Sequence, residues 1–219
     1  KPMITALAAL QRLKQGNARF VADAPDQIAH TSQAHRIKLL AGQEPFAIIL
    51  GCSDSRVPAE IVFDQGLGSL FVIRVAGNIV APSIVGSIEF AAERFGTRLV
   101  VVLGHSMCGA VQATVQELER PSASRSPNLH SIVSRIRPAV EPLLETELRH
   151  DRAALMQQAV RANVRAAANH LRHSSQILEH LILNDNLLVI GAEYALETGV
   201  VDFFDGLPEP HPDGLEPGD

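Results

Sequence analysis

Short uninterrupted apolar runs recur along the chain, at Phe46 to Leu50, Leu70 to Val75, Leu99 to Leu103 and Leu187 to Ile190. Runs without polar alternation predict strands covered on both faces, as in a parallel sheet sandwiched by helices. Between them the apolar positions take helical spacing, over Ser83 to Phe95, Gly109 to Glu119, and a long stretch from Asn128 to Leu183 broken near Pro138, Pro142 and Ser174. Strand alternating with helix predicts an α/β fold, a mostly parallel central sheet flanked by helices. Val200 to Phe204, after Thr198-Gly199, reads as a last strand at the edge.

Ahead of the first strand, Leu7, Leu10 and Leu13 with Phe20-Val21 predict an N-terminal helical arm ended by Pro25, and Ser32 to Leu40 a second helix closed by Gly42. The arm's apolar face must be covered, by its own domain or by a neighbouring subunit, and the sequence leaves both open. From Leu207 the chain is rich in Pro and Gly and reads as a loose tail. No linker divides the 219 residues, so one domain is expected: an arm over 1–42, an α/β core over 43–206 and a tail over 207–219.

Composition narrows the activity. An apolar share of 46% against 20% charged and 4% aromatic residues describes a globular protein packed with Ala, Val, Leu and Ile. A net charge of -5, without a dense Lys/Arg stripe, argues against nucleic acid or an anionic membrane as partner and favours a small or neutral substrate. No apolar run approaches the ~20 residues of a membrane helix, and Lys1-Pro2-Met3-Ile4 has no signal-like segment. A soluble, cytoplasmic protein is therefore expected, with a removed leader left open because the chain begins at Lys.

The candidate chemistry lies in two turns. Gly51-Cys52-Ser53-Asp54-Ser55-Arg56 follows the first run, and His105-Ser106-Met107-Cys108 follows the third. In an open α/β sheet, ligands gather beyond the carboxyl ends of the strands. If the two strands are parallel, both turns face one edge. Two thiolates and one imidazole, from Cys52, His105 and Cys108, form the ligand set of a tetrahedral zinc site with its fourth position open. Cys108, at a helix start, gains from the N–H groups there a pull toward thiolate. Two plainer readings stand beside this one: a Cys52 to Cys108 disulfide, and buried cysteines with a hydrogen-bonded core histidine. Asp54 can reach either the open metal position or Arg56, whose planar fork suits a carboxylate. That arrangement is a switch, or else a surface ion pair in a turn. A cysteine phosphatase loop would need five residues between Cys and Arg, whereas Cys52 and Arg56 have three. A non-catalytic zinc protein would keep Asp54 as a permanent fourth ligand.

Cys52-Ser-Asp-Ser-Arg-Val57 and His105-Ser-Met-Cys-Gly109 resemble, in order and separation, the two zinc motifs of the β-class carbonic anhydrases. The resemblance continues through Phe71 to Asn78 and Gly86 to Phe90, and is strong from Gln43 to Ala113. It implies one zinc per chain on Cys52, His105 and Cys108, with Asp54 and Arg56 as a gating dyad. It implies reversible hydration of carbon dioxide to bicarbonate and a proton by attack of zinc-bound hydroxide, a lyase reaction. Hydrolysis of carbon disulfide or carbonyl sulfide on the same site is the alternative. The resemblance further implies that Gln43, Phe71, Ala76 and Gly109 face substrate, with Phe90 standing where many members have a tyrosine. It implies a homodimer or larger homo-oligomer, with the N-terminal helices across the partner.

Overall fold

The computed structural model describes residues 4–26, 31–121 and 126–208. Its single sheet has five strands, β1 (Ala47–Gly51), β2 (Leu70–Arg74), β3 (Leu99–His105), β4 (Leu188–Tyr194) and β5 (Val201–Asp205), in the order β2-β1-β3-β4-β5. The first four are parallel and β5 runs antiparallel to β4 at the edge. The uninterrupted apolar runs are explained by this arrangement. Ile49 packs into the core on one face, while its neighbours Ile48 and Leu50 pack into the core on the other, so each strand buries both sets of its alternating side chains.

The helices are α1 (Ala6–Val21), α2 (Gln33–Lys38), α3 (Ala59–Val62), α4 (Pro82–Arg94), α5 (Gly109–Glu119), α6 (Pro127–Val140), α7 (Arg152–His173) and α8 (Gln176–Asn184). Thr5 caps α1, its hydroxyl accepting from the Ala8 N–H. The face left unassigned by the sequence is covered within the chain: Ala9, Leu10 and Leu13 are buried against Phe46, Ile49 and Phe63. Full burial of Leu13 contributes about 1.5–3 kcal/mol. Two polar-looking positions make the fit possible. A Cβ at Gly16 would run into the Phe63 carbonyl, so only glycine lets α1 approach so closely. Asn17 then joins three backbones, donating to the carbonyls of Val62 (3.1 Å) and Gly199 (2.8 Å) and accepting from the Val201 N–H (2.9 Å).

Elsewhere the chain departs from expectation in instructive places. The break expected near Pro138 falls two residues later: α6 runs through the proline, ends at Val140 and gives way to a 3-10 turn over Glu141–Glu145. A proline this close to the helix end removes only one late hydrogen bond, while buried Ile136 and Val140 hold the last turn to the core. β4 extends past Ile190 to Tyr194 although Glu193 is buried, because Arg161 on α7 donates to its carboxylate at 2.7 Å. The brief α3 and a 3-10 turn over Ala76–Asn78 carry no periodic signal. The predicted tail, apart from Leu207 and Pro208, lies outside the described residues. No helix among the described residues is long and apolar enough to cross a membrane.

Candidate metal centre

Parallel register brings the two turns together. Gly51 at the end of β1 lies opposite Leu103 of β3, so Cys52 and His105 leave neighbouring strands at the same edge. Cys108 is the N-cap of α5, its carbonyl accepting from the Gln112 N–H while its side chain caps nothing. The sulfur is thereby left to the site. Between His105 and Cys108 the chain turns through Met107 in the left-handed region, φ 57°, a costly conformation for a side chain other than glycine.

The Cys52 and Cys108 sulfurs and a His105 ring nitrogen all lie within 4.8 Å of one another, and all three residues are buried. Both cysteines are free thiols, so the disulfide reading is set aside. His105 Nδ1 lies 2.8 Å from the Ser106 carbonyl. Donating there assigns the proton to Nδ1 and leaves a lone pair on Nε2, which is buried and has no hydrogen-bond partner among the described residues. A buried orphaned acceptor beside two sulfurs is costly in itself and is satisfied by a cation. The donor set therefore fits a metal ion, and two sulfurs with one imidazole suit zinc.

Proton distribution between the sulfurs is uneven. The Cys52 thiol is pushed down to about 4, first by its hydrogen bond with Cys108 and against its burial, with His105 and the Gly77 N–H adding to the effect. Cys108 is pushed up by the same hydrogen bond and by burial, which outweigh the first N–H groups of α5. The helix start thus acts on Cys108 as expected, but loses to the neighbouring thiolate. Burial alone would lower His105, and the facing Cys52 sulfur and the Asp54 carboxylate raise it above its ordinary value.

Asp54 is on Arg56. Nε of the guanidinium reaches Oδ1 at 2.9 Å and Nη2 reaches Oδ2 at 2.8 Å, with the Arg56 N–H also donating to Oδ1 at 3.0 Å. These bonds hold the carboxyl well below the usual carboxylate range, against its partial burial. Its Oδ2 stands 3.9 Å from His105 Nε2, at the rim of the trio rather than among its ligand atoms.

Other site residues from the sequence are scattered. Ala76 adjoins Gly77, whose N–H donates to Cys52 Sγ at 3.3 Å, and Gly109 opens α5 with free space above its Cα. Gln43 is not brought to the trio: it is exposed ahead of β1, in a shallow pocket with His35 and Gly68. Phe71 pairs with Ile48, well before the carboxyl end of the sheet, and forms an aromatic cluster with Phe90 and Phe95 at centroid separations of 5.7–6.2 Å. Two contributors escaped the sequence reading. Arg74, opposite Gly51 on β2, donates from Nε to the Cys52 carbonyl (3.0 Å) and from Nη2 to the Asp54 carbonyl (2.6 Å), so it clamps the loop carrying both residues. Its role depends on a strand register that spacing does not reveal. Asn163, a buried amide on the apolar face of α7, donates to the Gly77 carbonyl at 2.8 Å. A polar residue amid Val160, Val164 and Ala167 was the available signal.

Comparison with known proteins agrees with this geometry. The sequence profile of the carbonic anhydrase family matches residues 47–201. Carbonic anhydrase 2 of Mycobacterium tuberculosis strain H37Rv is 38% identical over 200 residues, which span 90% of this chain and 92% of that protein. Among solved structures, one of two tetrameric β-carbonic anhydrases from the ascomycete Sordaria macrospora superposes with a TM-score of 0.70 at 25% identity, over 81% of this chain and 89% of that one. A β-carbonic anhydrase of the fungal pathogen Aspergillus fumigatus gives 0.69 at 25%, over 92% and 91%. A likeness sustained over nearly the whole length leaves one assignment, and the chain belongs to the β-carbonic anhydrase family of enzymes.

Proposed function

We propose that this protein catalyses the reversible hydration of carbon dioxide to bicarbonate and a proton, on one zinc ion held by Cys52, His105 and Cys108. The observation that carries the reading is the orphaned His105 Nε2, facing two sulfurs, with the Asp54 carboxylate tied back by Arg56. Three protein ligands with a fourth position kept clear make a catalytic rather than a structural site. Zinc bound there supplies a Lewis acid that makes hydroxide available from water near neutral pH.

The chain's own groups do the rest. Arg56 holds the Asp54 carboxylate at the rim, where it accepts a hydrogen bond from an entering water and orients it for attack. Released from Arg56, the same carboxylate would fill the open position and close the site, so the pair acts as a gate. Ala76 and the open space over Gly109 border the approach to Cys52 and Cys108.

Gln43, Phe71 and Phe90 serve a second copy in this reading. They stand away from their own trio, Phe90 is 54% exposed, and Phe71 lies on β2, an edge strand with one side unpaired among the described residues. A partly exposed aromatic cluster beside an open sheet edge favours a homodimer or larger homo-oligomer, and the Sordaria relatives are tetrameric.

Metal analysis combined with stopped-flow carbon dioxide hydration tests the proposal, with carbonyl sulfide hydrolysis assayed alongside. The expected result is one zinc per chain and hydration that disappears on chelation and returns with zinc. Metal-free purified protein, or a zinc protein that hydrolyses only the sulfide, would overturn it.

A further inference from the structure

Gly77 lies between two hydrogen bonds, one ending on a metal-site sulfur and the other on a helix across the core. Its N–H donates to Cys52 Sγ at 3.3 Å, and its carbonyl accepts from Asn163 Nδ2 at 2.8 Å. Asn163 is 3% exposed, in the middle of α7 among the buried Ala159, Val160, Val164 and Ala167. Asparagine is a poor choice there on local grounds, because it neither favours a helix interior nor packs as an apolar side chain would. Burying its amide is costly unless it is hydrogen-bonded. What it obtains in exchange is the Gly77 carbonyl.

That carbonyl shares its peptide plane with the Asn78 N–H, which donates to the Val75 carbonyl at 2.9 Å, so Asn163 holds the free end of a plane tied at the other. Gly77 adopts φ 71° and ψ 19°, and a Cβ there would stand 2.7 Å from Ile136 Cδ1 and 3.0 Å from the Ala110 Cβ. Glycine is thus required, yet glycine leaves the two flanking peptide planes free to rock about its Cα. One of those planes carries the N–H aimed at Cys52. The other is held at both ends, by Asn163 and by the Asn78 bond to Val75, and with Ile136 and Ala110 packed against the Gly77 Cα this leaves the N–H plane a narrow range of direction.

We propose that Asn163 is a positioning residue for Cys52. By holding the Gly77 carbonyl from α7 it aims the Gly77 N–H at the sulfur, and so sets both the direction of that sulfur and the electron density it offers a metal. Partners of this kind, one step behind the ligands, orient them and tune the bound ion. The inference rests on the reading of Cys52 as a zinc ligand.

Asn163→Ala and Asn163→Ser, made in the full chain and loaded with zinc or with cobalt(II), test it. Serine keeps a small polar group but is too short to reach the Gly77 carbonyl, so it decides the matter should the alanine variant fail to fold. Loss of the N–H to sulfur bond enriches the thiolate, and the thiolate-to-cobalt charge-transfer band is expected to move to longer wavelength. The misdirected sulfur is expected to outweigh its stronger donation, so that zinc leaves to a chelator about 10–100-fold faster than from the parent protein, well below the melting transition. A purely structural role predicts a lower melting temperature with the band and the zinc off-rate at parent values, and that result overturns the proposal while leaving the zinc site intact. A parent protein that takes up no stoichiometric metal overturns the zinc reading and this inference with it.

Discussion

Arg56 grips Asp54 by both carboxylate oxygens, at 2.9 and 2.8 Å, and this grip keeps Asp54 Oδ2 3.9 Å from His105 Nε2. The pair is half-exposed on the arginine side, so its stabilising value is small; its consequence is positional. Removing either partner should therefore harm turnover more than folding. Arg56→Ala and Asp54→Asn are each expected to retain zinc and to lose about 10²-fold or more in hydration, the lower range for a group that positions a reacting proton. The double variant should lose little beyond the single ones, since residues acting as a unit are not additive. Stopped-flow hydration with metal analysis checks this, and additive losses would separate the two residues.

Acid should release this pair late. Because the folded Asp54 carboxyl sits below its unfolded value, its contribution is complete above the usual carboxylate range and is lost only as the pH falls through the depressed value. The difference in melting temperature between the parent and Asp54→Asn should accordingly stay constant from neutral pH to about pH 5, above the unfolded aspartate value, and close only below it. A difference that vanished near pH 6 would mean that Arg56 does not hold the carboxylate in solution.

Zinc uptake should release protons in a number that reflects the uneven sulfurs. Cys52 is already a thiolate at neutral pH and contributes none. Cys108, held above the ordinary thiol range, must give up its proton to become a ligand. His105, raised above its ordinary value, adds a second as the pH falls through that value. Calorimetric titration in buffers of different ionisation enthalpy should count at least one proton, the number rising on acidification as His105 takes up its own. A pH-independent count of zero would contradict the sharing of one proton between Cys52 and Cys108.

The arm depends on Asn17 as much as on its leucines. Asn17→Ala orphans the Val62 and Gly199 carbonyls and the Val201 N–H together. Leaving buried backbone groups unsatisfied costs about 1–3 kcal/mol each at the upper limit, and about 2 kcal/mol after partial relaxation. At about 2–4 °C per kcal/mol for a chain of this size, the melting temperature should fall by roughly 4–8 °C. Differential scanning calorimetry measures it, and a change under 1 °C would show that α1 is not anchored through this residue.

Hydrophobic pattern and two short motifs were enough, without coordinates, to specify the parallel strands, the helices between them and the atoms able to hold a metal. Those features are local: a run of apolar residues buried on both faces, or a Cys and His beside the end of a strand, carries its meaning in a few consecutive positions. The sequence also showed that Asp54 had two possible partners, but not which it takes. Only the tertiary structure decided that α1 covers its own sheet, that Arg74 and Asn163 brace the Cys52 loop from β2 and α7, and that Gln43 and Phe71 stand away from the trio of their own chain. Each of these depends on strand register or on contact between segments distant in the chain. Such relations are settled by packing of the whole core and leave no spacing to be read along the sequence.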